Sequence, residues 1–61
     1  MENYYKLKGL KILLFTKGNN FRIEGKVKEV DSKFIELYDE IKKKDRFINI
    51  DNIADVEVIG K

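Results

Sequence analysis

The clearest pattern in the chain is F-R-I-E-G-K-V-K, residues 21–28, where Phe21, Ile23, Gly25 and Val27 alternate with Arg22, Glu24, Lys26 and Lys28. Alternation of period two predicts a strand with one buried face and one wet face. After Val27 the next apolar residue is Val30, three positions on. Keeping both inside requires a bulge or sharp bend near Lys28-Glu29. Gly25, in the middle of the same strand, marks close backbone approach or strong coiling.

The remaining elements are placed around this strand. Lys11–Thr16 is apolar and β-prone and predicts a first strand. Lys17-Gly18-Asn19-Asn20 then suits a tight turn with positive φ angles. Residues 1–10, M-E-N-Y-Y-K-L-K-G-L, read as a short helix or arm; as a helix, Tyr4 and Leu7 share one face and Gly9 is its stop. Downstream, Asp31-Ser32-Lys33 makes a turn. Phe34–Asp39 forms a third strand, with Ile35 and Leu37 on one face and Phe34, Glu36 and Tyr38 on the other. Residues 40–44 read as a charged hairpin and residues 46–50 as a fourth strand with Ile48 and Ile50 inward. Asp51-Asn52-Ile53 predicts one 3₁₀ turn capped by Asp51, and residues 54–59 a last strand with Val56 and Val58 inward. The expected fold over residues 1–61 is therefore a single all-β domain. It is a small, strongly bent, five-stranded antiparallel barrel with a short N-terminal helix. Strands joined by hairpins exclude a parallel α/β sheet.

Composition adds a constraint. A chain of 61 residues has a small core, and domains of this size bury only about 60% of their unfolded surface. Disulfides, a structural metal or self-association usually make up the difference. The sequence has no cysteine and no histidine, and its acidic residues follow no calcium-loop spacing. No metal or cofactor is expected, and self-association is the support that remains. Leu13, Phe15, Phe47 and Ile59 are apolar but out of phase with the core, and an oligomer gives them somewhere to go. Thirteen basic and eleven acidic residues leave a net charge of +2. That is less lopsided than a sequence-indifferent DNA coater. Nothing after Met1 reads as a signal peptide. The longest apolar run, Ile12-Leu13-Leu14-Phe15, is far too short for a bilayer. A cytoplasmic protein without membrane contact is expected.

Gly25, Val27, Val30 and Asp31 repeat, in order and spacing, the glycine, two hydrophobics and aspartate of the first motif of the Sm-like family. Asn49-Ile50-Asp51-Asn52-Ile53 keeps the later part of the second motif but lacks its Arg and Gly. With five bent strands, a short leading helix and one helical turn before the last strand, nearly the whole chain resembles this family, which includes Sm, LSm and bacterial Hfq proteins. The resemblance implies rings in which the fifth strand of one subunit pairs with the fourth of the next, here a homo-oligomer of about five to seven copies. It also implies single-stranded RNA held near the motif aspartate and the second motif.

Carried over residue by residue, the RNA-binding candidates are Lys33, Phe34, Glu36, Asp51 and Asn52. Counting directly from Asp31, the base-stacking position falls on Lys33 and the edge-reading asparagine on Ile35. With a turn one residue longer, Phe34 stacks and Glu36 takes the asparagine's place. Strand alternation favours the second register, because Ile35 and Leu37 belong to the core. Asp51-Asn52 stands where Hfq has Lys-His. Lys42-Lys43-Lys44 is a candidate basic patch, read either as phosphate-contacting or as a solvated hairpin. Asp31 and Glu36 lack any histidine, cysteine or cofactor motif beside them, so no catalytic residues and no enzyme are expected. The leading expectation is an RNA-binding ring, a chaperone or scaffold for single-stranded RNA. The alternatives are an oligomer that uses the fold for protein–protein assembly, and a monomeric SH3-like barrel that binds nucleic acid or protein.

Overall fold

The computed structural model describes residues 4–18 and 21–61. Met1, Glu2 and Asn3 lie outside them, as do Asn19 and Asn20, on which the expected turn at 17–20 falls. A 3₁₀ turn, Tyr4–Leu7, leads into β1 (Lys11–Thr16), β2 (Arg22–Val30), β3 (Phe34–Asp39) and β4 (Lys44–Asn49). A second 3₁₀ turn, Ile50–Asn52, precedes β5 (Ile53–Gly60). All strands join one antiparallel sheet in the order β4-β3-β2-β1-β5. The expected all-β architecture is what the chain adopts.

The alternation in β2 is realised as read. Ile23, Gly25 and Val27 are buried, and Arg22, Lys26 and Lys28 are exposed. The pairing of β2 with β3 slips between Val27 and Glu29, leaving Lys28 as the extra residue of a bulge. Val27 pairs with Leu37 and Val30 with Ile35, so the bulge restores the phase that simple alternation would lose. Lys28 turns its charge outward, and its Nζ donates to Asp45 Oδ2 at 3.0 Å. Gly25 is required sterically: a β-carbon there would collide with the carbonyl oxygen of Tyr38.

The core is Ile12, Leu14, Ile23, Val27, Ile35, Leu37, Ile48 and Ile53. Tyr4, Leu7, Leu10, Phe21, Val30, Ile50 and Val56 pack around it. The N-terminal turn is 3₁₀ and a single turn long, shorter than the helix expected. Gly9 ends it at φ +84°, and reciprocal bonds pin it to β2: Gly9 N–H to Val27 O and Val27 N–H to Leu10 O, both 2.9 Å.

The structure departs from the sequence reading at several points. β4 begins two residues early, because Lys43 adopts φ +58° and its N–H reaches Asp39 O at 2.7 Å, closing the hairpin sooner. The second 3₁₀ turn begins at Ile50, and its cap is Asn49, not Asp51. Asn49 is still extended, and its Oδ1 accepts the Asp51 N–H at 2.8 Å. Val58 pairs with buried Ile12 and so belongs to the core face, yet it is 57% exposed, because among the described residues no strand lies beyond β5 to cover it.

Asp39 is a buried charge, 3% exposed. Its Oδ1 accepts the N–H groups of Ile41 and Lys42 at 3.0 Å each, and Arg46 approaches Oδ2 at 3.5 Å. The Lys42 N–H is the main reason its carboxyl titrates below the ordinary 3.8. Burial opposes that shift, while the Ile41 N–H and the charges of Arg46 and Lys42 reinforce it. Arg46 is itself held over the ring of Phe21, 5.0 Å from its centroid. The carboxylate therefore organises the β3–β4 hairpin from the inside.

Two expected outcomes follow from these contacts. Gly25→Ala must move β2 away from Tyr38, and overpacking of this kind costs about 1–3 kcal/mol or more. A fall in Tm of roughly 10 °C or more is expected in a thermal melt, given about 4–8 °C per kcal/mol for a domain this size. Asp39, ionised at neutral pH with its folded pKa depressed, stabilises the fold above the unfolded value. That contribution is lost as pH falls through the folded value. Urea midpoints should therefore fall as the pH drops below about 4. In Asp39→Asn the midpoint should be lower at neutral pH and its acid limb flatter.

Candidate functional site

Two segments far apart in the sequence meet at one end of the β3–β4 hairpin. The turn 31–33 is closed by the Asp31 N–H on Phe34 O at 2.8 Å. The Ile50 N–H, opening the second 3₁₀ turn, donates to Lys33 O at 2.8 Å. Between them lies a cleft of about 320 Å³ lined by Ser32, Lys33, Asn49, Ile50 and Asp51. Lys33 supplies a cation, Asp51 an anion and Ser32 a hydroxyl. Asn49 spends its Oδ1 on the cap, which leaves its amide N–H groups for a ligand. The cleft thus presents donors from Lys33, Ser32 and the Asn49 amide beside one carboxylate, that of Asp51.

The candidate residues divide between this cleft and its surroundings. Lys33 and Asp51 line it. Asn52 follows directly, and its carbonyl accepts the Lys17 N–H at 2.9 Å, tying the end of β1 to the same corner. Phe34 and Glu36 lie on the outer face of β3. Phe34 is 39% exposed and meets Phe47 edge-to-face, with ring centroids 5.8 Å apart and planes at 72°. Glu36 is half-buried opposite Phe47, with Lys28 Nζ 3.8 Å from its carboxylate. Ile35, the alternative edge-reading position, is fully buried.

The basic run Lys42-Lys43-Lys44 is exposed at the other end of the hairpin. Asp39 pairs with Lys44 there, whereas Phe34 pairs with Asn49 beside the cleft. Five strand steps separate the two ends, roughly 17 Å, so these lysines and the cleft are separate surfaces. Asn49 is a cleft residue that the sequence reading did not single out. Its signal was the Asn-Ile-Asp spacing, in which a cap residue stands two before the amide it receives.

A second surface runs along the sheet edges. Among the described residues, β4 and β5 each have a strand neighbour on one side only. The β4 edge carries Phe47, 62% exposed, and the β5 edge carries Val58 and Ile59, the latter 47% exposed. Leu13 and Phe15, also out of phase, are half-buried on β1. Open edges bearing large apolar side chains are what soluble proteins usually avoid.

No protein-family model matches the chain, and no curated protein or solved structure matches it. Among the described residues no helix is long and apolar enough to cross a membrane. No cluster of three or more acidic, His or Cys side chains among them is arranged to hold a metal ion.

The Phe34–Phe47 contact should be measurable as an energetic coupling. In a double-mutant cycle, Phe34→Ala and Phe47→Ala should be non-additive by about 0.5–1.5 kcal/mol of unfolding free energy, the usual worth of an aromatic pair. Additivity would show that the rings touch without stabilising one another.

Proposed function

We propose that the chain is an Sm-like subunit that assembles edge to edge into a ring of about five to seven copies and offers its clefts to single-stranded RNA. The observation that carries this reading is the hydrogen bond from Ile50 to Lys33. It brings the segment after the motif aspartate against the end of the second motif, where the family resemblance expects RNA. The sheet order supports the assembly half, since it leaves the fourth and fifth strands as the two edges. A ring joins each β5 to the next β4, removes every edge and buries the apolar side chains that stand on them.

One observation favours a second reading, assembly without RNA. Phe34 and Glu36 are engaged by Phe47 and Lys28, which leaves the cleft without a free aromatic platform. Stacking normally supplies about 1–3 kcal/mol per base.

Light scattering should give five to seven times the subunit mass of 7.2 kDa, and a monomeric mass contradicts the ring. On the assembled protein, oligo(U) and oligo(A) titrations separate the two readings. If the cleft binds RNA, Lys33→Gln should weaken binding and lower the slope of log affinity against log salt by about one per subunit contact. A ring with no affinity for either oligonucleotide supports assembly alone.

A further inference from the structure

We infer that the edges of neighbouring copies pair antiparallel in a single register, with Ile48 of one copy opposite Val58 of the next and Asn49 opposite Glu57. This rests on the edge-to-edge assembly proposed above and specifies it.

The occupant of each edge is a second copy because the two edges are complementary in charge as well as apolar. β5 carries Asp55 and Glu57, whereas β4 and its hairpin carry Lys42, Lys43, Lys44 and Arg46 against Asp45. Head-to-tail pairing brings an acidic edge beside a basic one, and each contact uses one edge of either kind. A β5–β5 pairing leaves β4 open with Phe47 still exposed.

Side-chain phase then limits the register. Val56 and Val58 pair with the buried Leu14 and Ile12, and Ile48 pairs with buried Ile35. All three belong to the core face, and a shift of one residue would set core faces against wet ones. Only shifts by two remain. With Ile48 on Val58, Ile50 falls on Val56, Asp45 on Lys61, and Phe47 lies alongside Ile59. Moving two residues one way sets Phe47 against Glu57, Arg46 against Val58 and Asp45 against Ile59. The other way sets Ile48 against Gly60 and Phe47 against Lys61. Of these registers the first alone sets Phe47 against an apolar residue and forms an opposite-charge pair, Asp45 with Lys61, at the cost of Asp51 opposite Asp55 where the pairing runs into the 3₁₀ turn.

The chain has no cysteine, so engineered thiols report the register directly. Single variants Asn49→Cys, Glu57→Cys and Asp55→Cys, with unchanged circular dichroism, are oxidised alone and in equal mixtures and run on non-reducing gels. Facing positions in paired strands lie about 5.5 Å apart between Cα atoms, within disulfide reach. The mixture of N49C with E57C should give a cross-linked pair, and neither should cross-link alone. Should loss of the Asn49 cap unfold N49C, the pair D45C with K61C, both exposed, tests the same register. Cross-linking of E57C to itself would overturn the inference in favour of a β5–β5 dimer. Preferential cross-linking of N49C to D55C would overturn it in favour of a register slipped by two. An assembled protein that gives none of these cross-links also overturns it. A monomer by light scattering instead removes the assembly on which it rests.

Discussion

The carbonyl oxygen of Tyr38 fills the space into which a β-carbon on Gly25 would project, and the path of β2 depends on that approach. β2 is the central strand, paired with β1 on one side and β3 on the other. Its close approach to β3 at Gly25 and its bulge at Lys28 let nine residues curve around a core of eight side chains. A straight β2 would carry Val30 and the turn after it away from the sheet. The Ile50 N–H would then have no Lys33 carbonyl to meet, and the cleft would not form.

The same curvature leaves the molecule incomplete. Five strands wrap the core, but the order β4-β3-β2-β1-β5 ends in two strands without outer neighbours. Val58 shows the consequence most plainly: it pairs with a fully buried isoleucine and is itself more than half exposed. Apolar surface left in water forfeits about 25 cal/mol per Å², and a domain this short has little stability in reserve. The proposed association through the edges would recover that surface and supply the missing strand partners. It would also link assembly to the cleft, because β4 both carries one edge and ends at Asn49, on the cleft wall.

Much of this was legible in the sequence, and the exceptions have physical causes. The strict period of residues 21–28, the three-residue step from Val27 to Val30 and the span Phe34–Asp39 fixed three features closely, because side-chain alternation leaves no freedom of face. Asp39 was missed although the alternation Ile35, Leu37, Asp39 puts it on the core face. A carboxylate there is tolerated only because two backbone N–H groups and Arg46 receive it, and those partners appear only once the hairpin is closed. Val58 was read as inward, and its phase was right. Its exposure depends on sheet order, which hydrophobic pattern does not encode. The cleft was legible in half: Lys33 and Asp51 stood out by motif position, while Asn49 gained its place through a capping bond. Phe34 was placed at the stacking position by strand alternation, but the Phe47 ring beside it belongs to a strand paired in space.

The central claim is that β4 and β5 are completed by neighbouring copies, and amide hydrogen exchange as a function of protein concentration tests it most directly. Peptides covering Lys44–Asn49 and Ile53–Gly60 should gain protection together as concentration rises into the range where the mass increases. Peptides covering Arg22–Val30, already paired on both sides, should show no such dependence. Edge strands that exchange freely and equally at every concentration would contradict the account.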